Sequence, residues 1–329
     1  MSLFDDNPLK PPEPDRDAQV VDNDASASIS QEPDASALGG DPISFAAASP
    51  PVKPTSFLPD DLRISWSWIH LLVFLVFAIV SQLATGIAVV SYYSMDRHFT
   101  QKQLKHFVES DPKFLVTTTL LWAGLVLLFL YVTLGALRGL PFWRSVGWKK
   151  LSSNPMQPKG RPWMYFLAGC GLSIFVAIAG SSVKDAEHTP IQEFLKNPNG
   201  ALMLMGMAVF VAPLFEETLF RGYLYPVLAR IISAVAQFFG MESSSAVRTG
   251  VATSILITGI LFGLMHAPQL GYTWGLVSLL TLVGVIFTFA RAWTGTVLAS
   301  FLLHLGYNSM IAFTSIIATK GFTHMPTGH

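Results

Sequence analysis

The chain is poor in cysteine and in charge. One cysteine among 329 residues, Cys170, excludes an intrachain disulfide framework and any Cys-cluster metal site. Charged residues make up 13%, against 51% hydrophobic residues that include 24 Phe and 8 Trp. With a mean hydropathy of +0.47, this is too apolar for an ordinary water-soluble domain. No Gly-rich phosphate loop follows a strand-like run, and no repeat of about 20–50 residues recurs. A His-Glu-x-x-His zinc helix, an intramembrane Asp pair and a Gly-x-Ser-Gly nucleophile are also missing, and Cys170 has no motif around it. The N-terminus, Met1 to Asp6, is acidic where a secretory signal needs a basic start and an apolar run.

What is present divides into two textures. The 21 basic and 21 acidic residues balance, yet residues 1–60 hold 11 acids and 3 bases while the remainder holds 10 and 18. Residues 1–60 also carry ten of the 21 prolines and few aromatics, the composition of an acidic disordered tail that cannot bury enough apolar surface to offset ordering entropy. From about Ile64, long apolar runs begin, and about 20 such residues cross a hydrocarbon core of about 30 Å. Trp66–Tyr92, Phe114–Leu137, Trp163–Gly180, Trp274–Ala290 and Thr296–Ile317 qualify, several with Trp or Tyr at an end suited to the interface. Ala201–Tyr225 qualifies apart from Glu216, Glu217 and Arg221, and Thr249–His266 ends on a histidine before Ala267-Pro268. The fold class expected is therefore an all-α polytopic bundle of about seven spans, with an eighth if Pro226–Gly240 crosses. Thr189–Leu195, with Thr as N-cap and Pro190 at the first helical position, predicts a short interfacial helix. Eleven Lys and Arg flank the odd boundaries against seven at the others, which puts the N-terminus in the cytosol by the positive-inside rule.

The chemistry concentrates in three apolar segments. Of the acids beyond residue 61, only Glu216 and Glu217 fall inside a span, where an ionisable group costs about 2.5–3.5 kcal/mol on insertion scales. Four residues separate Glu217 from Arg221, so a helix can pair them, while Glu216 points about 100° away. One carboxylate is then tied and the other is free to face a cavity as a general base. A structural salt-bridge network between helices would use the same residues. Phe262 and His266 share a helix face at four-residue spacing, as do His304 and Asn308. Taken singly, His266 reads as a partly solvated helix end, and His304 with Asn308 as a helix–helix hydrogen bond. Together the three segments offer a base, an electrophile and hydrogen-bond donors. Gly206, Gly259, Gly263, Gly284, Gly295 and Gly306 suit close approach of these helices.

At these residues the sequence resembles the type II CAAX prenyl endopeptidase family, also called the Abi or CPBP family of intramembrane proteases, whose members include the Ras-converting enzyme. Glu-Glu-x-x-x-Arg is met at Glu216, Glu217 and Arg221, Phe-x-x-x-His at Phe262 and His266, and His-x-x-x-Asn at His304 and Asn308. Phe220-Arg221-Gly222-Tyr223-Leu224 looks like the family's continuation of the first motif, and the likeness covers about Ala201–Ile317. The resemblance implies hydrolysis of a peptide or membrane-protein substrate, a prenylated one included, inside the bilayer and with no nucleic-acid partner. It implies Glu216 as general base, His266 holding and activating the water, His304 and Asn308 stabilising the oxyanion, and Glu217, Arg221 and Phe262 in support. No cofactor is favoured. A divalent metal such as zinc, held by Glu216, His266 and His304, is the other reading of the same donors. The division implied is a tail over 1–60, N-terminal membrane helices with the interfacial helix over 61–199, a CAAX protease catalytic domain over 200–318, and a C-terminal tail over 319–329. A non-catalytic immunity or scaffold member, and an ion-coupled transporter, are the alternatives; against the transporter stands the lack of paired broken helices in two similar halves.

Overall fold

A computed structural model describes residues 58–59, 62–95, 99–152, 159–184 and 198–321. The expected tail, the expected interfacial helix over Thr189–Leu195 and residues 322–329 lie outside these. Every regular element among the described residues is helical: α1 (Trp68–Met95), α2 (Gln101–Ser110), α3 (Pro112–Arg138), α4 (Phe142–Ser145), α5 (Pro162–Gly180), α6 (Pro198–Phe238), α7 (Ser243–Met265), α8 (Trp274–Thr294) and α9 (Val297–Ala318). Seven of these, all but α2 and α4, are long and apolar enough to cross a membrane. The chain is an integral multi-pass membrane protein.

Helix ends follow local chemistry. Asp111 accepts from the Lys113 amide ahead of Pro112 at the start of α3, Glu242 accepts from the Ser244 and Ser245 amides at the start of α7, and Thr296 accepts from the Leu298 amide at the start of α9. The α8 helix stops at Gly295, which takes the left-handed conformation (φ 74°) that glycine adopts without a Cβ penalty. Gly295 is therefore a cap and not a packing residue, and Gly206 has open space around it. The tight crossings are made elsewhere. The α5 helix packs along α9 through Gly169 and Gly306, and α7 along α8 through Gly259 and Gly284, with Gly263 a further contact.

Two expectations need correction. Trp66 does not stand at an interface; the first helix starts at Trp68, and Trp66 is 2% exposed, stacked on Tyr223 with ring centroids 5.7 Å apart. Pro226–Gly240 does not form a separate eighth crossing, because Tyr225–Phe238 continues the helix that began at Pro198. That helix runs for 41 residues without an end between. At about 1.5 Å per residue it is about twice the length one crossing needs.

What keeps α6 continuous through two prolines is a change of helix type. A proline lacks the N–H of the α ladder, and its ring clashes with the carbonyl four residues back. Pro213 follows a π-helical turn over Met207–Val211, and Pro226 follows another over Thr218–Leu224. The wider turns move those carbonyls out of the way, with the Ala212 amide donating to Met207 O and the Tyr225 amide to Phe220 O, five residues back in both cases. Glu216 and Glu217 end the short α-helical stretch between the two π turns.

Candidate active site

Arg221 sits in the second π turn and is fully buried. Its Nη1 donates to Glu217 Oε1 at 2.9 Å, Nη2 to Gly284 O at 2.8 Å and Nε to Thr288 Oγ1 at 3.2 Å. The guanidinium also lies 4.5 Å over the Phe262 ring. One side chain thus binds α6 to α8 and rests on α7. Glu217, itself fully buried, shares its Oε1 with His304 Nδ1 at 3.0 Å. The sequence spacing anticipates the Glu217–Arg221 pair. Gly284 and Thr288 carry no signal as anchors, since a small residue and a hydroxyl are ordinary in a membrane helix.

Glu216 is arranged differently. Its Oε2 is buried and makes no hydrogen bond among the described residues. His266 Nε2 stands 3.9 Å from that oxygen and His304 Nε2 stands 3.8 Å from it. The opposite nitrogen of each ring is occupied. His266 Nδ1 lies 2.8 Å from Phe262 O, and because a carbonyl only accepts, that nitrogen carries the proton. His304 Nδ1 meets the carboxylate that pairs with Arg221 and carries a proton for the same reason. In their neutral forms both rings therefore present an unprotonated Nε2 to Glu216. Phe262 orients both imidazoles, with centroids 4.8 Å from His266 and 5.8 Å from His304.

Asn308 makes a helix–helix hydrogen bond and also lines the cavity. Its Nδ2 donates to Ala208 O at 2.7 Å, across to the first π turn of α6. In the π register Ala208 O would receive the amide of residue 213, and residue 213 is a proline with no N–H to give. One amide hydrogen of Asn308 is thus committed to the carbonyl that Pro213 leaves.

These groups meet at the floor of a cavity of about 360 Å³. Glu216, Phe262, His266, His304 and Asn308 line it together with Leu115, Val176, Leu204, Leu276 and Gln269, so six helices and one connection contribute wall. The site is polar at the bottom and aliphatic above, the usual make-up of a ligand pocket. Its donors stand wider apart than the ligands of a tetrahedral zinc ion. Tetrahedral zinc ligands at about 2.0–2.2 Å lie about 3.4 Å from one another. The separations here are 3.8 and 3.9 Å, and among the described residues no three His, Cys, Asp or Glu side chains are grouped to hold an ion.

A second polar cluster, absent from the sequence reading, braces the same π turn. His70 of α1 places Nδ1 2.8 Å from Tyr223 Oη and Nε2 2.9 Å from Thr133 Oγ1, while the Thr133 hydroxyl donates to Phe129 O at 2.7 Å. Thr133 has spent its proton and must accept from Nε2–H, which leaves Nδ1 to accept from Tyr223. Each group has its partner. A lone histidine in the first apolar run was the one visible signal.

No curated protein and no solved structure matches the chain. A family model described as Type II CAAX prenyl endopeptidase Rce1-like matches residues 198–310, from the first residue of α6 into α9, and that stretch holds Glu216, Glu217, Arg221, Phe262, His266, His304 and Asn308. Over residues 198–310, about a third of its length, this multi-pass membrane protein is similar to the Rce1-like type II CAAX prenyl endopeptidase family.

Proposed function

We propose that the chain is an intramembrane endopeptidase that hydrolyses a peptide bond with a water activated by Glu216 and His266, with His304 and Asn308 at the oxyanion and with no metal. The observation that carries the reading is the convergence of one unpartnered buried carboxylate oxygen and two imidazole Nε2 atoms within 3.8–3.9 Å at a cavity floor. Atoms about 3.9 Å apart can share one water, each about 2.8 Å from its oxygen. Such a water donates one hydrogen to Glu216 and the other to His266, which aims its lone pairs at whatever lies above.

Glu216 takes the proton as the water oxygen bonds to the scissile carbonyl carbon. The tetrahedral intermediate then places negative charge on the former carbonyl oxygen, where preorganised donors act most strongly in a dry site. Asn308 keeps one N–H beyond the one given to Ala208. His304 donates from Nε2 when it carries both protons, a charge that the Glu217 carboxylate 3.0 Å away offsets. Glu216 returns its proton to the departing amine as the C–N bond breaks, which restores the carboxylate. Arg221 and Glu217 act through His304 and hold the second π turn in place.

The test is cleavage of a peptide or prenylated peptide by the purified full chain in detergent. Glu216→Gln should lower turnover by about 10²–10⁴, the range for loss of a general base, with thermal stability retained. Wild-type cleavage by Glu216→Gln would end the claim. Protein stripped by a chelator and free of zinc by elemental analysis should keep its activity; loss on stripping with recovery on zinc addition would replace the metal-free site by a metal centre.

A further inference from the structure

Tyr307 lines the cavity and is the one buried polar side chain there that the hydrolytic reading leaves without a task. It belongs to α9, three residues after His304 and one before Asn308, and is 6% exposed. Phe287 holds its ring edge-on, with centroids 6.2 Å apart, and the same Phe287 lies 5.0 Å from His304. Among the described residues the Tyr307 hydroxyl has no hydrogen-bond partner. The sealed side-chain oxygens without a partner are those of Glu216, Glu217 and Thr258, so the Tyr307 hydroxyl still reaches open space. Elsewhere in the bundle tyrosine hydroxyls are paired: Tyr223 with His70 Nδ1, and Tyr165 with Lys159 O.

Burying a hydroxyl without a partner costs free energy that a phenyl ring in the same place would avoid. Tyr307 packs in a cluster with Val283, Phe287 and Leu303, where phenylalanine would serve as well. The hydroxyl adds nothing to that cluster. What it adds to the cavity is a donor one helical turn past His304.

Three residues of helix advance about 4.5 Å, and an extended peptide advances about 3.3 Å per residue. A chain whose scissile carbonyl lies over His304 therefore brings a neighbouring carbonyl within reach of Tyr307. An acyl or prenyl chain has no acceptor to offer there, and the carbonyls of a helix are already bonded. We propose that Tyr307 is a specificity-determining residue whose hydroxyl donates to a main-chain carbonyl beside the scissile bond, so that this part of the site takes an extended peptide and neither a hydrocarbon chain nor a helix. The word scissile rests on the hydrolytic reading; the bond to a bound peptide does not.

Tyr307→Phe removes the hydroxyl and leaves the ring. In thermal unfolding of the full chain in detergent it should be as stable as wild type or more so; a lower Tm would show that the hydroxyl already has a partner within the protein, and overturns the proposal. Binding is read by fluorescence anisotropy in nanodiscs with a fluorescein-labelled octapeptide of alternating leucine and alanine, whose side chains suit the aliphatic walls. The proteins are Glu216→Gln and Glu216→Gln/Tyr307→Phe, so no turnover enters. The Kd should rise about tenfold with the second substitution, the effect of losing one neutral hydrogen bond. Equal Kd values, or no binding by either protein, overturn the proposal. Tyr165→Phe is the control, since its hydroxyl donates to Lys159 O and Tyr165 does not line the cavity. It should lower Tm and leave the Kd unchanged; a Kd raised as much as by Tyr307→Phe would make the effect indirect and overturn the proposal. Cleavage of the same peptide by wild type is scored apart. The tenfold contrast without cleavage would sink the hydrolytic reading alone, and cleavage without the contrast would sink this proposal alone.

Discussion

Replacing Gly306 by alanine should separate α5 from α9 by an amount the structure sets. A Cβ at Gly306 would lie 2.0 Å from Phe166 O and 2.9 Å from its carbonyl carbon, and the reciprocal Cβ at Gly169 would lie 2.0 Å from Leu303 O. Carbon approaches a carbonyl oxygen no closer than about 3.3 Å in ordinary packing, so the backbones must part by about 1.3 Å. They are backbone atoms of two membrane helices and cannot swing aside as a side-chain tip would. Overpacking of this kind costs about 1–3 kcal/mol. The displacement also reaches the site, because α9 carries His304 and Asn308, whose bonds to Glu217 and Ala208 are 3.0 and 2.7 Å long. A shift of about 1 Å in reacting groups can lower turnover about 10²-fold. Gly171→Ala is the matched control, since it lies on α5 with nothing within 4 Å of its Cβ and should be neutral or stabilising by up to about 1 kcal/mol. Thermal unfolding in detergent and peptide cleavage are measured on both variants. A Gly306→Ala protein as stable as Gly171→Ala would refute the packing argument, whatever the activity.

Three further outcomes follow from the same contacts. Arg221→Ala leaves Glu217 charged and buried without its cation and should destabilise by about 3–5 kcal/mol; Arg221→Lys should recover little, because a single ammonium cannot reach Glu217, Gly284 O and Thr288 in the guanidinium's fork geometry, and a Lys variant of wild-type stability would count against that account. Asn308→Ala strands Ala208 O and should cost about 1–3 kcal/mol, but less in a Pro213→Ala background that supplies a backbone N–H; strictly additive effects in the double-mutant cycle would show that Asn308 does not serve that carbonyl. Glu242 accepts from the Ser244 hydroxyl and from the Ser244 and Ser245 amides, which hold its carboxyl near a pKa of about 2 rather than 4.5. A depressed folded pKa gives stability above the unfolded value that is lost as pH falls through the folded one, so the start of α7 should fray between about pH 4.5 and about 2, seen as faster amide exchange at residues 245–248, and Glu242→Gln should remove that acid dependence.

How far the sequence alone could lead depends on the range of the interaction. Burial of apolar runs is a composition effect, and seven crossings were legible because each needs only its own residues to be greasy. Pairs at four-residue spacing were legible for the same local reason: Glu217 with Arg221 and Phe262 with His266 meet whatever the rest of the chain does. The bond from Asn308 to Ala208 was not legible because its partner is 100 residues away and becomes an acceptor only through the π register before Pro213. The π turns were missed for a related reason. Two prolines inside an apolar stretch predict a break, and whether the helix breaks or widens is decided by the neighbours that pack around it.

Length, hydropathy and motif spacing by themselves determined that this protein lives in a membrane as helices and carries ionisable groups on three of them, because those properties are set by contacts within a turn or two of the chain. Tertiary structure alone decided which groups anchor Arg221 beyond Glu217, which ring nitrogen faces the cavity, and which helices wall it. Those outcomes come from helices packed side by side, where a shift of one turn would exchange every partner.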